Sequence, residues 1–159
     1  MKRLINKVAI VTGAGQGLGL SYAKALAKEG AVVTIAAYNK ESAKEAVLEI
    51  ESIGGKAIFA QCDVSKIEQV INETVKVFGI VDILINNAQG YLRSSLIVDV
   101  TEEALEVAWR TGPLGTLFFM QECFPYLKEN GGRIINVCSD TGIEGMKTFA
   151  SYGSAARFN

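Results

Sequence analysis

The chain contains no histidine among its 159 residues. Within it there is no Ser-His-Asp or Cys-His nucleophile pair, no HExxH zinc site and no haem held by an imidazole. Proton chemistry falls to Tyr, Lys, Asp, Glu, Cys or water. Cysteine is scarce too: Cys62, Cys123 and Cys138 are odd in number and far apart. They offer neither a disulfide framework nor a CxxC metal pattern, so no metal site is expected. Such cysteine usage fits a reducing cytoplasm. No apolar run reaches the length of a membrane span. The opening Met1–Lys7 stretch regains charge at Lys7 before any long apolar region, unlike a secretory leader. Neither sign of charge dominates, with 16 Lys+Arg against 17 Asp+Glu. The basic stripe that nucleic acid needs is missing.

What is present is ordinary for a soluble globular chain: 49% hydrophobic and 21% charged residues. The length favours one domain. Lys7–Thr12 is a short apolar, β-branched run that ends in glycines, which predicts a buried strand. Apolar residues at Leu18, Tyr22, Ala25 and Leu26 have helical spacing, and Gly30 supplies the stop. Ala31–Ala37 predicts a second strand. Asn39 can cap a helix that places Ala43, Val47, Ile50 and Ile53 on one face before Gly54-Gly55. Lys56–Cys62 is a third strand. Ser65 and Glu68 have the spacing of a capping box, opening a helix with Ile67, Val70, Ile71, Thr74, Val75 and Phe78 inward. Val81–Asn86 is a fourth strand. Thr101 caps a helix that carries Leu105, Ala108 and Trp109. Gly112-Pro113 interrupts it or forces an adjustment, because proline lacks an amide hydrogen. Apolar spacing resumes at Leu117, Met120, Gln121 and Phe124. Arg133–Cys138 is the fifth strand. Strand-helix alternation with buried strands implies a parallel sheet with helices on both faces, doubly wound by right-handed crossovers.

The turn Thr12-Gly13-Ala14-Gly15-Gln16-Gly17-Leu18-Gly19 joins the first strand to the first helix. Glycines permit positive φ and close backbone approach. The free amides and positive end of the helix then suit a phosphate. A purely structural glycine turn satisfies the same pattern. The strict GxGxxG fingerprint fails, because Leu18 stands where its last glycine belongs. The Walker pattern fails for want of Gly-Lys-Ser/Thr. TGxxxGxG fits, and here the chain resembles the short-chain dehydrogenase/reductase family. Further motifs arrive in order. Cys62-Asp63-Val64 resembles the family's Asp-Val after the third strand; a simple chain reversal before Ser65 is the plainer reading of Asp63. Asn86-Asn87-Ala88-Gln89 is similar to the Asn-Asn-Ala-Gly after the fourth, with Gln89 in place of glycine. Gly115-Thr116 matches the long interface helix. Gly132–Ser139 resembles the strand that delivers the catalytic serine, and Tyr152 follows at the family's spacing.

The resemblance implies a Rossmann-like α/β fold with five main strands in the order 3-2-1-4-5. It places a single NAD(P)-binding domain over residues 1–159, with the family's C-terminal substrate-loop region absent. It implies hydride transfer between a nicotinamide cofactor and a small-molecule alcohol or ketone. Ser139 would orient the substrate oxygen and Tyr152 transfer the proton. Gly13, Gln16, Gly17, Leu18, Gly19, Asp63, Val64, Asn87 and Ala88 would bind the cofactor. No carboxylate follows the second strand in Ala36-Ala37-Tyr38-Asn39-Lys40, so nothing repels a 2′-phosphate. That favours NADP slightly over NAD, although Gln16 stands where NADP-preferring members often have a basic residue. A homo-oligomer through the long helix is also implied, since Trp109, Leu117, Phe118, Phe119 and Met120 exceed what one helix face buries.

Two members of the family's catalytic set are absent. Ala156 occupies the lysine position four residues after Tyr152, and Gly112 occupies the asparagine position. A free tyrosine, with pKa near 10, is ionised in only about one molecule in a thousand at pH 7, a deficit of roughly 4 kcal/mol. The lysine cation normally reduces that deficit. Arg157 is one residue along a helix, hence about 100° away. Lys147 lies in the preceding loop. A dinucleotide-binding module without turnover is therefore the alternative function. A flavodoxin-like fold is a third reading, disfavoured by a phosphate loop rich in glycine rather than Ser/Thr.

Overall fold

A computed structural model describes residues 1–63 and 67–158, with position 130 described by its backbone alone. Val64 and the Ser65 cap lie outside the described residues. The strands are β1 (Val8–Thr12), β2 (Val32–Ala37), β3 (Lys56–Gln61), β4 (Ile83–Asn86) and β5 (Arg133–Asn136). The helices between and after them are α1 (Gly17–Lys28), α2 (Lys40–Ser52), α3 (Ile67–Phe78), α4 (Glu102–Trp109), α5 (Gly115–Asn130) and α6 (Ala150–Ala156). The five strands pair in parallel in the order β3-β2-β1-β4-β5. The chain winds outward from β1 to β3, then crosses back to β4. That reversal opens a crevice at the carboxyl ends of β1 and β4.

Alternation along the strands sorts the core into two layers. Ala9, Val11, Val33, Ile35, Ile83 and Ile85 pack with buried Ala23, Ala27, Ala43, Ala46 and Ile50 of α1 and α2. Ile10, Ala36 and Leu84 point the other way, onto Val70 and Ile71 of α3 and Phe119, Cys123 and Leu127 of α5. β1, β2 and β4 are thus covered on both faces, as strands inside a parallel sheet require. Thr34 sits fully buried in that second layer, where its Oγ1 accepts a 3.0 Å hydrogen bond from Thr74 Oγ1.

Two helix faces differ from the sequence expectation by one residue. On α1 the buried stripe is Gly19, Ala23 and Ala27, whereas Leu18 is 64% exposed. On α5 the buried residues include Thr116, Phe119, Cys123 and Leu127, not Leu117 or Phe124. On α1 small side chains meet the sheet, with Leu20, Tyr22 and Leu26 packed partly buried beside them, whereas α5 lays the large Phe119 and Leu127 into the core. On α2, Ala43, Ala46 and Ile50 are buried, while Ile53 caps the C-terminus and stays exposed. Asn39 and Thr101 do cap their helices, Asn39 Oδ1 accepting from the amides of Glu41 and Ser42, and Thr101 Oγ1 from that of Ala104.

Gly112-Pro113 resolves as an adjustment and not a break. Residues Arg110–Leu114 form a single π-helical turn between α4 and α5. A widened turn accommodates the missing proline amide without ending the helix. β5 lies at the sheet edge, and all four of its residues are exposed. Among the described residues, no helix is long and apolar enough to cross a membrane.

Candidate functional site

The crevice begins at the glycine turn. After Thr12 the chain takes positive φ at Gly13 (66°) and Gly17 (59°). A Cβ at Gly19 would lie 2.5 Å from the Gly13 carbonyl oxygen and 2.7 Å from Asn87 Nδ2. A Cβ at Gly15 would lie 2.7 Å from Ser42 Oγ. Gly19 is therefore demanded by backbone packed against it, whereas at Gly15 only the Ser42 hydroxyl would have to move. Gly17 is different, since nothing lies within 4 Å of its Cβ position. Its open side forms part of the cavity wall. Gln16 precedes α1 without capping it through its side chain. The first amides of α1 are left to face an incoming anion.

Thr12 fixes the opposite wall. Its Oγ1 accepts hydrogen bonds from the amides of both Asn87 and Ala88, each 2.9 Å. Asn87 Nδ2 returns a 3.0 Å bond to the Thr12 carbonyl. The turns after β1 and β4 are thereby locked together. Thr12 was visible as the first letter of the glycine motif, but its role in holding Asn87 was not. Thr111, in the π turn, extends the scheme: its Oγ1 accepts from the Gly90 amide at 2.8 Å and donates to the Val107 carbonyl at 2.7 Å.

A cavity of about 820 Å³ runs along this crevice. Gly13, Gln16, Gly17, Leu18, Gly19, Asp63, Asn87 and Ala88 all line it. Of the cofactor-binding candidates only Val64 is not placed, being outside the described residues. Tyr38 and Cys62 flank the Asp63 end, and Asp63 is the one acidic residue among the described lining residues. Burial, with help from the Asp63 charge, pushes the Cys62 thiol up to about 11. At the inner end Asn86 Nδ2 donates to Asn136 Oδ1, while Asn86 Oδ1 is buried without a partner among the described residues. Such an atom ordinarily meets a donor from water or ligand. No group of three or more His, Cys, Asp or Glu side chains is placed to hold a metal among the described residues.

Ser139 and Tyr152 are beyond that wall. Ser139 lies three residues after β5 and opens the 3-10 turn Asp140–Gly142. Its Oγ accepts from the Thr141 amide and donates to Asp140 Oδ1, both at 3.3 Å. Tyr152 sits half-buried in the first turn of α6, with the rings of Tyr91 and Phe149 edge-on at 5.7 and 6.2 Å. Ala156 is fully buried, Gly112 is buried in the π turn, and Lys147 is exposed. The structure brings the dinucleotide candidates together and sets the catalytic pair beside them. Gln89 joins the two groups: it lines the cavity, and its Nε2 donates to the Tyr152 carbonyl at 3.1 Å. The side chain that departs from the motif turns toward α6.

This geometry has close counterparts. The model for short chain dehydrogenase matches residues 7–157. An uncharacterized oxidoreductase of Methylorubrum extorquens is 40% identical over 156 residues, covering 96% of this chain and 62% of that protein. An NAD+-bound xylitol dehydrogenase superposes with a TM-score of 0.91 at 29% identity, over 98% of this chain and 62% of that one. A 7α-hydroxysteroid dehydrogenase complexed with NADH and 7-oxo glycochenodeoxycholic acid gives 0.90 at 30% identity, with the same coverage. The chain thus spans 62% of the length of each of these relatives. A family match over residues 7–157, with superposition across nearly all of the chain, makes it a member of the short-chain dehydrogenase family.

Proposed function

We propose that residues 1–159 form the dinucleotide-binding part of an NAD(P)-dependent oxidoreductase acting on an alcohol or ketone. The observation that carries this reading is the cavity at the β1–β4 reversal, walled by the uncapped start of α1 and by the Thr12-locked Asn87 turn. The fit is supported by the open face of Gly17 and by the buried, unpartnered Asn86 Oδ1. The α1 amides at Gly17, Leu18 and Gly19 would take the pyrophosphate, Asp63 the adenine side, and Asn87 and Ala88 the ribose beyond. These residues would hold a nicotinamide dinucleotide, which when bound would supply or accept a hydride. Ser139 Oγ is assigned to the substrate oxygen and Tyr152 to the proton. Two solved relatives carry NAD+ or NADH. In this chain, Tyr38, Asn39 and Lys40 follow β2 without a carboxylate, which leaves a 2′-phosphate unopposed and favours NADP.

A second reading, a dinucleotide-binding module without turnover, is favoured by a separate observation. Ala156 offers no cation to Tyr152, and both catalytic candidates stand outside the cavity wall. One experiment addresses both. NADPH and NADH are titrated against the folded chain, following energy transfer from Trp109 with calorimetry as a check, and reduction of a ketone panel is then assayed. Binding with turnover supports the oxidoreductase, with NADPH expected to bind more tightly. Binding without turnover supports the module. Binding of neither overturns both.

A further inference from the structure

We propose that Gln89 is a positioning residue, which holds α6 and its Tyr152 against the rim of the dinucleotide cavity. The inference rests on the reading above that Tyr152 carries the proton.

The starting point is a helix that cannot hold itself. α6 has seven residues, and its N-cap, Phe149, makes no side-chain capping bond. Helices this short are marginal in water without packing. The far side of α6 is packed: Ser151, Ala155 and Ala156 are buried, and Arg157 Nη1 donates to the Gly142 carbonyl at 3.1 Å. A Cβ at Gly153 would lie 3.0 Å from the Thr141 carbonyl, so α6 rests directly on the Asp140–Gly142 turn. Trp109 Nε1 donates to Ser154 Oγ at 3.3 Å, and the Trp109 ring meets Phe158 at 5.5 Å. None of these contacts engages Tyr152 itself.

Gln89 does so from an anchored point. The amide before it, at Ala88, is bonded to Thr12 of β1, and the amide after it, at Gly90, is bonded to Thr111 of the π turn. A side chain rooted between two such bonds can transmit position. Its Nε2 reaches across 63 residues of sequence to the carbonyl of Tyr152 itself. The bond engages the backbone and leaves the phenol to chemistry. The following loop adds to the hold. Ser95 pairs with Phe149, its amide donating to the Thr148 carbonyl at 2.9 Å, and the Tyr91 ring lies against both Phe149 and Tyr152. The glycine expected at position 89 from the motif would offer no such donor.

Three variants of the 159-residue chain test this. Gln89→Met keeps the length and removes the donor. Gln89→Lys restores an N–H donor of sufficient reach. Gln89→Ala serves if the methionine variant is poorly folded. Hydrogen exchange over residues 150–156 and the emission of Trp109, the chain's single tryptophan, read the docking of α6 without any need for turnover. Gln89→Met is expected to speed α6 exchange about fivefold, to shift Trp109 emission to the red, and to move the Tyr152 ring resonances toward random-coil positions. Those resonances are assigned by their loss in Tyr152→Phe. Exchange in β1 and β4 stays as in the parent, and Gln89→Lys returns α6 exchange toward the parent value. Where a substrate is turned over, kcat falls more than KM rises. Unchanged α6 exchange in Gln89→Met and Gln89→Ala, or no recovery in Gln89→Lys, overturns the proposal. Failure of the parent chain to bind either nucleotide overturns the oxidoreductase reading while leaving the exchange result to decide the role of Gln89.

Discussion

At the β1–α1 turn, position is set by backbone. Glycines with protein packed on them, a buried strand of five residues and two amides bonded to one threonine hydroxyl leave little freedom. At the β5–α6 corner, close backbone approaches at Gly142 and Gly153 are supplemented by side chains. β5 is exposed along its whole length, Ser139 caps a short turn, and α6 depends on Gln89, Trp109 and three aromatic rings. The two regions face the same end of the sheet, yet one is held almost by backbone alone and the other draws in addition on side-chain contacts that can be exchanged. Anion binding by main-chain amides needs the first kind of construction. Proton transfer needs a side chain brought to a place, and the second kind can supply that.

The strongest way to break this contrast is Gly19→Ala. Its added Cβ meets the Gly13 carbonyl, a backbone atom that cannot swing aside. A loss of about 3 kcal/mol in urea unfolding is expected, together with loss of detectable dinucleotide binding. Gly17→Ala is the control. It meets only the strain of its positive φ, about 1 kcal/mol. Equal losses at the two positions would show that close packing is not what the turn requires.

Thr12→Val comes next. It keeps the shape and removes the acceptor of two part-buried amides. A loss of about 2 kcal/mol is expected, with faster hydrogen exchange at Asn87 and Ala88, whereas Thr12→Ser remains near the parent. Exchange at those amides that ignores Thr12→Val would remove the lock between the two turns.

The smallest effect is chemical and costs the fold nothing. Cys62 lies in the wall on the locked side, and Cys138 is exposed at the corner. Burial raises the Cys62 thiol to about 11, so its reactive thiolate is suppressed below that pH and grows about tenfold per unit toward it. Cys123 is held higher still, at about 12, by burial first and the Glu122 charge second. Iodoacetamide at pH 8, read by peptide mass spectrometry, should label Cys138 well before Cys62. Saturating nucleotide should slow Cys62 further. Labelling of Cys62 first would mean that the wall is open.

β1, β2 and β4 were legible as apolar runs rich in β-branched residues, and a buried parallel strand needs little else, whereas the exposure of β5 was not legible. The glycine turn was legible because backbone chemistry writes itself as glycine. Helix phase was harder to read. Leu18 and Leu117 drew attention as large apolar residues, while the sheet selected Gly19 and Thr116 beside them. Ser139 and Tyr152 were found through resemblance alone, since nothing in their local pattern announces proton chemistry. The turn of Gln89 toward α6 was beyond reach, because it depends on two loops meeting across 63 residues of chain.

The stripe of Gly19, Ala23 and Ala27 bears on how sequences of this shape can drift. Each position already holds one of the two smallest residues, pressed on a packed sheet. Any other substitution adds volume where no room exists, and interiors this dense give way poorly. Leu18, out in solvent on the same helix, can exchange its character freely. Along α1, then, size is the inherited quantity at Gly19, Ala23 and Ala27, apolar character is held at Leu20, Tyr22 and Leu26 where they lean on the core, and only outward positions such as Leu18 are open to rewriting.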